Sequence, residues 1–192
     1  MPIYDRHTPS RYEVVDRWDG GISWFAHPNE TGRRTSHAVV GTDGGVWVID
    51  PLDAPGIDEE LAALGDIRGV LVCSNYHVRD ADRFATRHNV PVYCPSWLSR
   101  AVSKLDAPID PETGAVGTSG FELRCCCPFP GWSEAVAYRE SDETLYVPDV
   151  LGTAPLFTVG AEQLGMYLLC RFFPPRAVFD DLSPRRILVG HG

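Results

Sequence analysis

The fold of this chain is decided by one stretch, which extends from Gly69 to Phe84 and reads GVLVCSNYHVRDADRF. Its first five residues form an apolar run, which predicts a buried strand. Its last residues are rich in charge, with Phe84 spaced for an inner face, and they predict the opening of a helix. In α/β proteins the polar loop between such a strand and helix often carries the chemistry. This loop holds four polar side chains that a purely structural turn would not require: Asn75, His77, Arg79 and Asp80.

The composition of the chain is that of an ordinary globular protein. Its 192 residues are 44% hydrophobic, enough for a full core, and we expect a single domain over residues 1–192. The formal net charge of −9 argues against a nucleic-acid partner. No apolar run approaches the ~20 residues that cross a bilayer, and residues 1–11 lack the apolar core of a signal peptide. The sequence therefore predicts a cytoplasmic protein without a membrane partner.

The six cysteines are predicted to be free thiols. Three of them, Cys73, Cys94 and Cys170, lie in apolar runs, as small buried hydrophobic residues do. The other three, residues 125–127, are consecutive. A zinc site on these three is the alternative, but it lacks the two-residue gaps that let a pair of thiolates hold one ion.

Three successive patterns divide the chain. Two hairpins, at residues 11–25 and 36–50, predict an antiparallel half-sheet. Helices and strands then alternate, with helices over 57–64, 80–88 and 97–105, strands over 70–73 and 91–93, and a loop over 107–120. The last part predicts strands over 122–127, 135–139, 144–147 and 187–189, and helices over 161–173 and 177–182.

Four short motifs in this order resemble the metallo-β-lactamase superfamily. They are Ser36-His37-Ala38 followed by GGVWVIDP at 44–51, the loop from Leu71 to Asp80, LYVPD at 145–149, and ILVGHG at 187–192. The resemblance covers the chain from about Tyr12 to Gly192. It implies an α/β protein of the αββα sandwich type, in which two mixed sheets pack between helices. In that family the aspartate at the position of Asp50 orients the central loop by hydrogen bonds.

The metal-binding positions of the family are largely replaced in this chain. The resemblance places His77, Asp149 and His191 where the family has ligands, and Asp80 where it has a histidine. Asn75, Arg79 and Trp132 stand at three further ligand positions, so the first of the two metal sites is effectively lost. The second site retains Asp80, Asp149 and His191 for a single ion. Because Gly192 is the last residue, His191 is expected on a fraying end.

Arg79 argues against even one ion. At about 4 to 5 Å and an effective dielectric constant near 20, its charge would repel a divalent ion by roughly 6 to 8 kcal/mol. Its guanidinium is predicted to bridge Asp80 and Asp149 in place of a metal, or else to point outward and pair elsewhere. The structural alternatives for the other residues are a loop histidine at His77, a turn cap at Asp149 and a cavity-filling ring at Trp132.

Two functions follow from these residues. The first is a metal-poor, non-hydrolytic or altered protein that keeps a polar cleft for a small molecule, with Asn75, Tyr76, Arg79 and Trp132 as binding residues. The second is a hydrolase of an ester, thioester or lactone-like bond that holds one zinc, manganese or iron ion. Its remnant metal site would be formed by His77, Asp80, Asp149 and His191, with Asp80 or Asp149 as proton acceptor. Either function requires His77 and Asp149 to lie within about 15 Å of each other.

Overall fold

The computed structural model describes residues 2–110 and 114–192, and its larger sheet follows the chain from strand to neighbouring strand. This sheet contains β1 (Glu13–Trp18), β2 (Gly21–Phe25), β3 (Thr35–Val40), β4 (Val46–Ile49), β5 (Ile67–Leu71), β6 (Val92–Tyr93) and β7 (Ile109–Asp110). Strands β1 to β4 pair antiparallel, with tight turns inside the two hairpins and the loop 26–34 between the hairpins. Strands β4 to β7 pair parallel because helices connect them, namely α1 (Ile57–Leu64), α2 (Ala81–His88) and α3 (Ser99–Val102).

The second sheet has the strand order β13-β10-β9-β8. It consists of β8 (Glu122–Cys126), β9 (Glu134–Arg139), β10 (Thr144–Val147) and β13 (Arg186–Val189). Strand β13 returns from the end of the chain and pairs parallel to β10, with Val147 opposite Val189. A small hairpin of β11 (Leu151–Gly152) and β12 (Gly165–Met166) lies between them in sequence, before α4 (Leu168–Phe172). The sheet is therefore mixed, as the resemblance implies.

The main core lies where the two sheets pack against each other. Buried side chains of the first sheet, such as Val48 and Val70, share one apolar cluster with Leu123 and Tyr146 of the second sheet. Helices α1 and α2 add residues such as Leu61 to the same cluster. A second cluster on the other face of the second sheet contains Cys126, Val136, Leu145, Val147 and Cys170. The layers are thus helix, sheet, sheet, helix, and the predicted αββα sandwich is confirmed.

The predicted helix over 161–173 is wrong. The structure has only the two-residue strand β12 and the five-residue helix α4 in this region. Gly160 has a φ of +64°, which ends regular structure, and a side chain at Gly165 would collide with the backbone of Phe157. Phe172 and Phe173 are exposed, so the apolar periodicity of this segment does not mark a buried face.

Smaller differences concern lengths and the short strands β7 and β11, which sequence analysis did not predict. Helix α3 is shorter than the predicted 97–105, and the predicted helix over 177–182 is replaced by a 3-10 turn at Arg176–Val178. The predicted loop over 107–120 contains β7, while its residues 111–113 lie outside the described residues. All six cysteines are free, as predicted. In the described ranges, no helix has the length and apolar character needed to cross a membrane.

Candidate functional site

The ends of three strands bring the candidate residues together. The loop after β5 carries His77, while Asp149 and His191 each follow two residues after paired positions of the parallel strands β10 and β13. Because the carboxyl ends of parallel neighbours lie at the same sheet edge, Asp149 and His191 are close together. His77 reaches the same point from the opposite sheet, whose strand β5 ends beside β4.

His77, Asp149 and His191, here called the trio, form a compact triangle of electron-pair donors. His77 Nε2 lies 3.1 Å from Asp149 Oδ1, His191 Nε2 lies 3.2 Å from the same oxygen, and the two Nε2 atoms are 3.2 Å apart. Ligands at about 2.0 Å from a tetrahedral zinc ion stand about 3.3 Å apart, so these spacings suit one ion. Both histidines are buried, and the Asp149 side chain is 14% exposed.

Each member of the trio is oriented by a further hydrogen bond. His77 Nδ1 lies 3.0 Å from Asp50 Oδ2, and His191 Nδ1 donates to the carbonyl oxygen of Gly32 at 2.6 Å. Ser74 Oγ donates to Asp149 Oδ2 at 2.6 Å. Because these outer hydrogen bonds hold Nδ1 of each ring on the outside, both Nε2 atoms face the centre of the triangle. This is the orientation that metal-ligating histidines have in proteins.

Asp50 is the buried hub behind this loop. Besides the contact with His77, its carboxylate accepts the backbone N–H of Cys73 at 2.8 Å and the Tyr146 hydroxyl at 2.5 Å. Its backbone has a φ of +45°, an uncommon conformation for a residue with a side chain. These contacts correspond to the orienting role that the resemblance implies for this aspartate.

Arg79 points into the cleft, but its partners differ from those predicted. Its Nη1 donates to the carbonyl oxygens of Thr35 at 2.6 Å and Asp50 at 2.7 Å, and its Nη2 donates to that of Gly190 at 3.0 Å. We call these three oxygens the carbonyl cage. Within the described chain, the guanidinium forms no ion pair with a carboxylate, so the predicted bridge to Asp80 and Asp149 is wrong. The physical reason is that the cage, at the ends of β3, β4 and β13, holds the guanidinium away from both.

Arg79 also touches the trio. Its Nη2 lies 3.3 Å from His77 Nε2, in hydrogen-bonding geometry. His77 Nε2 has two possible hydrogen bonds within the chain: it accepts a hydrogen from Arg79, or it carries a proton and donates to Asp149. In either arrangement the lone pair that a metal ion would need is already engaged.

The charges of the trio follow from burial and from neighbouring groups. Burial and Arg79 lower the pKa of His77, but Asp149 and Asp50 outweigh them, so that the pKa is raised overall. Burial lowers the pKa of His191. Burial also favours the neutral form of Asp149, yet the two histidines hold the pKa of this carboxyl well below its ordinary value. The trio therefore consists of an ionised carboxylate beside two histidines, of which His77 is the more basic.

The other predicted site residues have different contacts. Asp80 Oδ2 accepts the backbone N–H of Asp53 at 2.8 Å, so this carboxylate lies apart from the trio. Asn75 Oδ1 accepts the backbone N–H groups of Arg100 and Ala101 at the start of α3. Tyr76 is 59% exposed at the mouth of the cleft. Trp132 also lines the cleft, where its ring packs 5.0 Å from that of Tyr167.

Sequence analysis did not identify Glu134 as a site residue. This residue is fully buried, and its carboxyl group accepts the Trp132 indole N–H at 3.2 Å and the backbone N–H groups of Asp149 and Val150. Burial and the charge of Asp149 raise the pKa of Glu134 well above its ordinary value. Glu134 thus ties the wall residue Trp132 to the backbone that presents Asp149. Its only signal in the sequence is an acidic residue at the start of an otherwise apolar strand.

The cleft above the trio has a volume of about 530 Å³. Its wall includes residues that sequence reasoning did not identify, namely Tyr4, Arg6, Arg34, Leu156, Phe157 and Tyr167. Tyr4 and Arg6 reach the cleft because the N-terminal segment pairs with residues 30–34: the carbonyl oxygen of Ile3 accepts the N–H of Gly32. Phe157 stacks on the His191 ring at 5.5 Å. The cleft therefore combines a charged base with aromatic walls.

His191 is firmly held, and its predicted fraying is wrong. The side chain is buried, and its backbone oxygen accepts the N–H groups of Thr153 and Ala154. Its backbone also forms an antiparallel bridge with Arg34. These contacts on two sides anchor the last residues of the chain.

Comparisons with known proteins identify the fold. The sequence matches no family model and no curated protein. The structure superimposes on the DIM-1 metallo-β-lactamase with a TM-score of 0.68 and 11% identity, over 97% of this chain and 91% of that chain. For TMB-1 the values are 0.67, 15%, 94% and 89%. For the metallo-β-lactamase from Pontibacter korlensis they are 0.61, 14%, 95% and 92%. The chain has the metallo-β-lactamase fold.

At such low identities the metallo-β-lactamase fold is all that these neighbours establish. Whether metal ions suit this chain has to be judged from its own donors. Two ions do not fit, because Asn75 caps α3, Trp132 offers no ligand atom and Arg79 fills the space between the strand ends. One ion fits the donor chemistry of the trio, whose three ligand atoms lie within 4.8 Å of one another. That ion would compete with Arg79 for His77 Nε2.

Proposed function

We propose that this chain is a metal-poor, non-hydrolytic protein of the metallo-β-lactamase fold that binds a small molecule in its cleft. The observation that carries the proposal is the position of Arg79. Its guanidinium is held by the carbonyl cage and also lies 3.3 Å from His77 Nε2. A positive charge that cannot be lost is thus fixed beside the trio, where a metal ion would otherwise bind.

The walls of the cleft support a binding role. Trp132, Phe157 and Tyr167 provide aromatic surface, while Arg6 and Arg79 provide positive charge. Arg34 is already paired with Glu30, its Nε and Nη2 donating at 2.8 and 2.7 Å. Arg6 is exposed and, among the described residues, has no ion-pair partner. A small anion with an apolar or aromatic part therefore suits this surface.

One specific observation favours the alternative, a single-metal hydrolase of an ester, thioester or lactone-like bond. The trio has the donor types, the spacing and the outer hydrogen bonds of a metal site. His77, Asp149 and His191 would hold the ion, zinc, manganese or iron, which when bound supplies a Lewis acid and a water of lowered pKa. Asp80 is poorly placed to accept a proton there, because its carboxylate binds the backbone of Asp53.

Metal analysis separates the two functions. We expect protein purified without chelator to contain well under one equivalent of zinc, manganese or iron by mass spectrometry of metals. Arg79→Ala should raise the content towards one equivalent, because it frees the lone pair of His77. The double variant Arg79→Ala/Asp149→Asn is the matched control and should lose that gain. One tightly held equivalent in the wild type, absent from Asp149→Asn, would instead establish the single-metal site.

A further inference from the structure

Three consecutive cysteines lie at the end of the edge strand β8 of the second sheet, in two different environments. Strand β8 is the outermost strand of this sheet and ends at Cys126. Cys126 is buried in the apolar cluster with Val136 and Cys170. Cys125 and Cys127 are exposed. Because side chains alternate along a strand, these two thiols share the face opposite to that of Cys126.

The two exposed thiols are in contact. Their Sγ atoms lie 3.3 Å apart, and the hydroxyl oxygen of Ser133 lies 3.4 Å from Cys127 Sγ. Two sulfur ligands with metal bonds of about 2.3 Å stand roughly 3.3 to 4.6 Å apart as the bond angle opens from about 90° to 180°. The pair is therefore at the narrow end of this range, so the one-residue gap that argued against a metal site from the sequence alone does not keep the two sulfur atoms from reaching one ion. Neither thiol lines the cleft that contains the trio.

We propose that Cys125 and Cys127 form a site for one soft, thiophilic metal ion, with the Ser133 hydroxyl as a further oxygen donor. Binding replaces two S–H bonds by two metal–sulfur bonds, the two protons pass to the solvent, and no electron is transferred. Sulfur ligands select soft ions over magnesium, calcium or manganese.

The pair is open to solvent on one side of the edge strand, which gives an ion access.

Titration of the full chain with Cd²⁺, in a buffer with a non-thiol reductant, tests the site. We expect one equivalent to produce the ultraviolet charge-transfer absorption of cadmium–thiolate bonds and to release about two protons. Cys125→Ser and Cys127→Ser should each weaken this binding more than about tenfold. Cys126→Ala is the matched control, since it removes a neighbouring thiol on the opposite face, and it should leave the titration unchanged.

Peptide mapping provides a second measurement that requires no variant to fold. Cadmium should protect Cys125 and Cys127 of the wild type from alkylation. Cadmium bound at the trio would give no thiolate absorption and no such protection, so the cleft does not confuse the result. Absence of the absorption in the wild type, its persistence in both serine variants, or an equal loss in Cys126→Ala would overturn the proposal.

Discussion

The cleft contains two groups of electron-pair donors, the carbonyl cage and the trio, which differ in their contacts with the guanidinium of Arg79. The carbonyl cage consists of main-chain oxygens from Thr35, Asp50 and Gly190, and all three bind one guanidinium. The trio consists of side chains, and its only contact with the guanidinium among the described residues joins His77 Nε2 to Arg79 Nη2, the nitrogen that also donates to the Gly190 carbonyl of the cage. Because the same arginine serves both groups, the proposed function implies that the affinity of the trio for a metal ion would depend on how strongly the cage holds Arg79.

Removing Arg79 should have the largest effect, because it empties the cage. Arg79→Ala leaves three carbonyl oxygens without their donor and removes the positive charge nearest the trio. Each hydrogen bond that a buried carbonyl oxygen loses in this way costs about 1 to 3 kcal/mol, so the loss of three costs at least about 3 kcal/mol. We expect chemical denaturation to show a loss of unfolding free energy of this size. Added zinc should recover part of it by binding the freed trio.

Arg83→Ala is the matched control for this measurement. Arg83 also follows the central loop, but its side chain is 59% exposed, and its one ion pair among the described residues is with Asp53 at 3.3 Å. An exposed pair contributes about 0 to 1 kcal/mol, and zinc should not alter the melting temperature of this variant more than that of the wild type. If both variants lost the same small amount, the cage would not be what holds Arg79.

The elements that sequence analysis predicted well are those with a local cause. Strand β10 occupies the predicted residues 144–147, and α1 the predicted 57–64, because each is an apolar pattern bounded by turn residues. The helix predicted after Gly160 is wrong because the apolar side chains of this region face solvent and the cleft rather than a helix-packing surface. The pattern of apolar residues in the sequence is the same in both cases, so it cannot distinguish side chains that pack under a helix from side chains that face solvent or the cleft.

The candidate site divides in the same way. His77, Asp149 and His191 were identified from the resemblance, because each occupies a ligand position in a motif that follows a strand, and the structure brings these three together. The partners of Arg79 are main-chain carbonyls of residues 44, 29 and 111 positions away, which carry no side-chain signature. Asp80 was assigned to the metal site by its position in a motif, but its carboxylate accepts the backbone N–H of Asp53 instead.

A second, smaller effect concerns His37, which lies behind the cage and contrasts with His77 of the trio. His37 Nε2 donates to the Val189 carbonyl at 2.9 Å, and burial lowers its pKa to about 4. Below pH 6.5 His37 binds a proton in the unfolded state but not in the folded state, so the folded state loses stability as the pH falls towards 4. This one group accounts for about 3 kcal/mol of unfolding free energy between pH 7 and pH 4.

The pH dependence of stability that His77 contributes has the opposite sign. Its raised pKa stabilises the folded state below pH 6.5, and that contribution is lost as the pH rises through the pKa of the folded state.

The acid dependence of His37→Gln measures this difference. Glutamine keeps a polar side chain but does not titrate, so the variant should lose about 3 kcal/mol less than the wild type between pH 7 and pH 4. Unfolding free energies from urea denaturation at each pH provide the comparison. Parallel losses in both proteins would show that His37 is protonated in the folded state, against the effect of its burial.

The smallest effect belongs to Trp132, which stands on the trio side of the comparison without contributing a ligand. Its indole N–H donates to Glu134 Oε2, which also accepts the N–H of Asp149. Trp132→Phe removes this one hydrogen bond and should lower the unfolding free energy by about 1 kcal/mol. Trp97→Phe is the matched control, because Trp97 is similarly half-buried and its indole nitrogen has no partner among the described residues. Both changes remove the same ring volume, but only Trp132→Phe breaks a hydrogen bond, so its denaturation midpoint should fall further than that of Trp97→Phe.

Trp132→His, which restores a ligand type at this position, should leave the zinc content low as long as Arg79 remains in its cage. A rise to one equivalent in that single variant would mean that the missing ligand, and not the guanidinium, keeps metal out of the trio.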